Sequence, residues 1–171
     1  MKKVFLFVLA VFAIAFYGDI HTQQTLVPEA HASVTSTPTT VSVSRIIALV
    51  NEDRAMVRLQ LVKENSTLNN VAQSKAERYA NADHSGHADI DGSMIWTHLR
   101  AAGYNYRYAG ENLARISSTL TSEYIIEKWE QSPDHYKNIV FPDFDEIGIG
   151  IAYGMHEGVK AVWVVQLFGK L

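Results

Sequence analysis

Apolar and polar residues change period along this chain, and the changes divide it into elements. Ile46, Leu49, Val50 and Val57 recur at helical spacing behind Ser44, a suitable N-cap, so a first helix is predicted from Ser44. A second is predicted over Ser66–Asn81. Leu68, Val71, Ala72, Ala76, Tyr79 and Ala80 form its apolar stripe, with Asn69, Lys75, Glu77 and Arg78 read as lying off it. Asp83–Gly92 is rich in Gly, Asp and His and reads as a long loop. A third helix is predicted over Ser93–Ala102, with Gly103 ending it in the left-handed conformation. The region around Gly110 reads as a loop or short strand. A fourth helix covers Ser122–Gln131, and Ser132-Pro133 stops it and starts a short fifth one carrying His135 in its first turn.

The C-terminal part switches to period two. In Glu146–Gly154 one face is Ile147, Ile149, Ile151 and Tyr153, and the other Gly148, Gly150, Ala152 and Gly154. The large face should fill a core, and the small face admits something close to the backbone. Met155–Gly158 reads as a turn, and Val159–Phe168 as a second strand, apolar on both faces apart from Lys160 and Gln166. Helices followed by an antiparallel pair define an α+β domain with helices stacked on a sheet.

Met1-Lys2-Lys3 precedes an apolar run from Val4 to Tyr17, shorter than the ~20 residues of a spanning helix. With Ala30-His31-Ala32 as a small-x-small cleavage site, residues 1–32 are expected to be a secretory signal peptide. Residues 33–43, dominated by Ser and Thr, are expected to be a flexible leader, and 44–171 the folded domain. Cutting at Ala32 removes two basic and two acidic residues, so the net charge stays at −3. That gives no electrostatic case for nucleic acid or an anionic membrane. Cysteine is absent, so packing and not disulfides must stabilise the domain.

Chemistry concentrates at His84, Glu111 and His135, each in a stretch rich in Gly, Asn or Pro. Two imidazoles and a carboxylate are a usual ligand set for a divalent metal, zinc first. They are too far apart to act as a local motif and need the fold to bring them together. His87 competes with His84 for the imidazole role. Glu111 has a plainer reading as a carboxylate that ties neighbouring loops. His135 has one as a helix-terminus histidine packed on Trp129, with the helix dipole disfavouring its protonation. Asn112, Asn138 and Gln166 are read as structural. His-Glu-x-x-His and Gly-x-Ser-x-Gly are both absent.

Several segments, in order, resemble the CAP superfamily of cysteine-rich secretory, antigen 5 and pathogenesis-related proteins (the SCP domain), in a cysteine-free bacterial form. They are Leu49–Arg54, His84-Ser85-Gly86, Ala101–Tyr104, Gly110–Ala114, Trp129 with Ser132–His135, Asn138-Ile139, Phe144–Gly150 and Val165–Gly169. The resemblance implies a secreted protein with a three-layer α-β-α sandwich around a central antiparallel sheet, and a monomer is the expected state. It also implies a cavity of two His and two acids that in some members binds a divalent metal. On this chain it assigns His84, Glu111 and His135 as ligands. Where plant and animal members place a second acid, this chain has Ser132, leaving Glu130, Glu146, His87 or water as the fourth ligand. The expected function is a secreted binding module for a lipid, peptide or envelope ligand, with no membrane span after signal cleavage. A metal-dependent hydrolase of extracellular substrates and a purely structural surface protein are the alternatives.

Overall fold

The computed structural model describes residues 40–171. The expected signal peptide and most of the leader lie outside the described residues. Five helices and four strands follow: α1 (Val43–Met56), β1 (Lys63–Glu64), α2 (Ser66–Ala82), α3 (Ile95–Ala101), β2 (Tyr108–Ser117), α4 (Ser122–Glu130), α5 (Pro133–Ile139), β3 (Glu146–His156) and β4 (Val159–Lys170). The strands form one sheet in the order β1-β3-β4-β2. β4 is antiparallel to both neighbours, and the two-residue β1 adds in parallel beside Glu146 and Ile147.

Helices cover both faces, giving the expected α-β-α sandwich. One core holds Ile46, Val50, Ile125, Trp129 and Ile139 of α1, α4 and α5 against Ile147, Ile149, Val162, Val164 and Phe168. The other holds Leu68, Ala72, Ala76 and Tyr79 of α2 and Ile95 and Leu99 of α3 against Trp163, Val165 and Leu167. The double-sided apolar pattern of β4 thus reflects a central strand buried on both faces.

The small-residue face of β3 lies against the backbone of α2. A Cβ at Gly148 would strike Leu68, and one at Gly150 would strike Ala72. α2 also covers the edge that β1 is too short to pair. Asn69 Oδ1 accepts from Ile149 N at 2.9 Å, and Gln73 both accepts from Ile151 N at 2.9 Å and donates to Ile151 O at 3.0 Å. Two side-chain amides therefore continue the ladder where no strand does.

Several boundaries differ from the sequence expectation. Ser42, not Ser44, caps α1, and Val41 before it is buried in the core. The hairpin turn contracts to Glu157 and Gly158, both at positive φ, which suits a tight two-residue connection. Around Gly110 the chain is a ten-residue strand paired along its whole length with β4.

A buried acid sits where α1 meets α4. Asp53 is buried, and its Oδ2 has no hydrogen-bond partner among the described residues. Burial first, and then the neighbouring Glu130 carboxylate with Glu52 behind it, push its carboxyl up to about 6. Its folded value thus exceeds its unfolded value of about 3.9. The stabilisation from protonated Asp53 is therefore complete below about pH 4 and is lost as pH rises through about 6. The urea midpoint of the wild type is expected to fall between pH 5 and 7. Asp53→Asn should remove that fall and exceed the wild type at pH 7.5 by about 1–2 kcal/mol, a figure reduced for solvent screening at Glu130. A variant that keeps the wild-type pH profile would refute this assignment.

Candidate functional site

β2 is an edge strand, so elements from both helical layers can meet around it. On the α2 side, Lys75 and Tyr79 stand one helical turn apart and both face inward. Lys75 Nζ donates to Glu111 Oε2 on β2 at 2.6 Å and to the His87 carbonyl at 2.9 Å, and lies 5.0 Å from the Tyr79 ring centre. The pair is fully enclosed, with side-chain exposures of 0% for Lys75 and 2% for Glu111. Lys75, read from sequence as off the helix stripe, lies on it.

The other Glu111 oxygen, Oε1, is 2.8 Å from His87 Nδ1. A carboxylate against Nδ1 fixes the orientation of that ring and favours a proton on the bonded nitrogen. His87 itself is 56% exposed, so a buried anion steadies a ring that reaches solvent.

The loop carrying His87 hangs from α2 and β4. Tyr79 Oη lies 2.8 Å from the carbonyls of both Gly86 and Ala88, and Trp163 Nε1 donates to His84 O at 2.8 Å. Farther along, the buried Asp89 carboxylate is gripped by Arg78, accepts from Ile90 N at 2.9 Å and lies 3.3 Å from His98 Nε2. Burial, the largest influence, pushes that carboxyl up, but the hydrogen bonds from Arg78 and from the Ile90 backbone N–H outweigh it and hold the carboxyl below its usual range.

From the opposite layer, α5 brings His135. Asn112 Nδ2 donates to His135 O at 3.0 Å and to Gln166 Oε1 at 2.8 Å. Asn138 Nδ2 donates to Asn112 Oδ1 at 2.8 Å and to Glu111 O at 3.1 Å. These amides lock α5 onto β2, in line with their structural reading. His135 titrates below its ordinary value, because of burial first and then the positive charge of nearby His87. The direction agrees with the expectation from the helix end, but burial is the main cause. The His135 ring centre lies 6.5 Å from that of Trp129.

The expected trio is thus distributed unevenly. Glu111 lies at the centre with His87 against its Oε1, and His135 joins the cluster through its carbonyl, which accepts from Asn112. The ring of His84 turns elsewhere. Its Nε2 is 3.0 Å from Ala88 O, and it meets Tyr79 edge-on at 4.7 Å. Glu146 accepts from Asn65 and Tyr104, and Glu130 faces Asp53. Both Glu111 oxygens are engaged, one of them by an ammonium. Among the described residues, no three His, Cys, Asp or Glu side chains are grouped to hold an ion. The donor set does not fit a resident divalent metal while Lys75 holds Glu111.

Beside this cluster is a cavity of about 220 Å³, lined by Tyr79, His87, Leu113, Arg115, Trp163 and Val165 among others. Its walls are mainly apolar, and Ser85, His87 and Arg115 add polar groups to the lining. Arg115 Nη1 lies 3.5 Å from Asp83 Oδ1, with its guanidinium carbon 6.0 Å from the Trp163 ring centre. The volume is below the ~300–1,000 Å³ usual for drug-sized ligands, so a small group or a chain end suits it.

Residues 47–168 match the family described as "CAP: Cysteine-rich secretory protein family". The chain is 28% identical over 140 residues to the Bacillus subtilis (strain 168) protein YkwD, covering 81% of this chain and 52% of YkwD. It therefore spans about half the length of that curated relative. Among solved structures, it resembles an extracellular SCP-domain protein of Bacillus anthracis str. Ames with a TM-score of 0.63 and 20% identity, over 75% of this chain and 40% of that one. It also resembles an outer surface protein of Borrelia burgdorferi with a TM-score of 0.61 and 20% identity, over 78% of this chain and 98% of that one. At these identities the structural likeness concerns the fold.

Proposed function

Because this chain belongs to the cysteine-rich secretory protein (CAP) family, we propose that it is an extracellular binding module. The apolar end of a lipid, peptide or envelope ligand enters the cavity beneath the His84–Ala88 loop. The observation that carries this reading is the cavity itself: apolar walls of Leu113, Trp163 and Val165, with His87 and Arg115 as polar groups at its boundary. A pocket of this kind binds through its walls and orients the ligand through a few polar groups. Similarity to an extracellular and an outer surface protein supports the location. Among the described residues, no helix is long and apolar enough to cross a membrane.

Trp163 lines the cavity and reports on it. Titration with octanoate is expected to change tryptophan fluorescence with saturation, and octanol should bind more weakly because it lacks a charge for Arg115. Arg115→Gln should lose the preference for octanoate, and Leu113→Phe should weaken both ligands by narrowing the cavity. If neither probe changes the signal, or if Leu113→Phe binds as the wild type does, the cavity is not the binding site.

A further inference from the structure

We infer that Lys75 is the resident cation of this site, holding Glu111 in the place of a divalent metal. The ammonium has three donors, and its surroundings occupy it. Glu111 Oε2 at 2.6 Å and the His87 carbonyl at 2.9 Å accept from it, and the Tyr79 ring face, its centre 5.0 Å away, suits a positive charge. Neither partner of the ion pair is exposed enough for water to replace the other.

Charge leads to the same conclusion. A metal site built on one carboxylate and two imidazoles has a net charge of −1 before the ion arrives. Here Lys75 has already cancelled that charge, so a divalent ion near Glu111 would meet a fixed positive neighbour in a poorly solvated setting. The substitution also has a mechanical consequence. One ammonium joins α2, the His87 loop and β2, so His87 is oriented whether or not metal is available. Metal-dependent ordering would make the same loop responsive to zinc supply. The inference does not depend on the identity of the cavity ligand.

The test is zinc chloride titration of the full chain, read by competition with a chromogenic chelator and by the ring-nitrogen resonances of His87 and His135. In the wild type, neither imidazole should show a saturable shift. Lys75→Gln and Lys75→Met should gain zinc affinity by at least about tenfold, and adding Glu111→Gln should abolish the gain. Stoichiometric zinc binding by the wild type that moves both imidazoles, or folded Lys75 variants that gain nothing, would overturn the inference. If the Lys75 variants do not fold, the wild-type resonances decide it alone: a joint saturable shift refutes it, and unmoved rings support it.

Discussion

Lys75→Met is expected to destabilise the domain by about 3–5 kcal/mol, the usual cost of removing one partner from an enclosed ion pair. The lysine and glutamate side chains are buried to the same degree, so the variant leaves the Glu111 carboxylate without its counter-charge. A partner at His87 Nδ1 remains, but it is borne by an exposed ring. Small domains have only about 5–15 kcal/mol in total, so the variant should be close to unfolded at 37 °C. The double change Lys75→Met with Glu111→Leu should recover much of the loss, because apolar groups of similar volume often replace such a pair at little cost. Urea unfolding of the four proteins completes the cycle. A single-variant cost under about 1 kcal/mol would mean that Glu111 has ready access to water in solution, contrary to its buried position.

Lys75 also marks a limit of what the sequence reveals. Leu68, Val71, Ala72, Ala76 and Tyr79 identify the buried stripe of α2 correctly. Position 75 is four residues from both Val71 and Tyr79 and therefore lies on that stripe by geometry. Only its charge argues for the surface, because a buried ammonium needs an anion, and that anion is 36 residues away on β2. β2 is obscured for a related reason. Glu111 and Asn112 are adjacent, polar and both buried, so the strand has no simple alternation to read. The small face of β3 is legible as a site of close approach, and the α2 backbone occupies it.

The histidines show a different limit. His84 and His87 lie in one short loop, and composition alone does not distinguish them. Their orientations are set by distant groups: Trp163 holds the His84 carbonyl, Tyr79 holds those of Gly86 and Ala88, and Lys75 holds that of His87. Once the loop backbone is fixed in this way, the His87 ring meets Glu111 and the His84 ring folds back on Ala88. The site therefore depends on tertiary hydrogen bonds more than on the local motif.

Arg54→Met should have a comparable effect, about 4 kcal/mol, by a different route: the loss of several buried hydrogen bonds at once. Arg54 sits in the last turn of α1 and is completely buried. Its guanidinium donates to four carbonyls: Gln60 at 2.8 Å, Ile139 at 2.8 Å, Phe141 at 2.9 Å and Phe144 at 2.8 Å. Burial lowers its pKa, and the charge of Asp145 acts in the opposite direction. Two of the four carbonyls belong to the end of α5 and the residues just beyond it, where free carbonyls would otherwise remain unsatisfied. Methionine fills the space but donates nothing, and each buried acceptor left unsatisfied costs about 1–3 kcal/mol, not additively. Arg54→Lys keeps the charge but not the planar fork, and a single ammonium cannot reach all four oxygens, so a loss of about 2 kcal/mol is expected. The damage should reach the site as well. α5 carries His135 and Asn138, so amide exchange over residues 139–145 should accelerate in Arg54→Lys, and the His135 ring resonances should shift. If Arg54→Lys matches the wild type in both stability and exchange, the charge alone is sufficient and the four-carbonyl clamp is not what holds α5 in place.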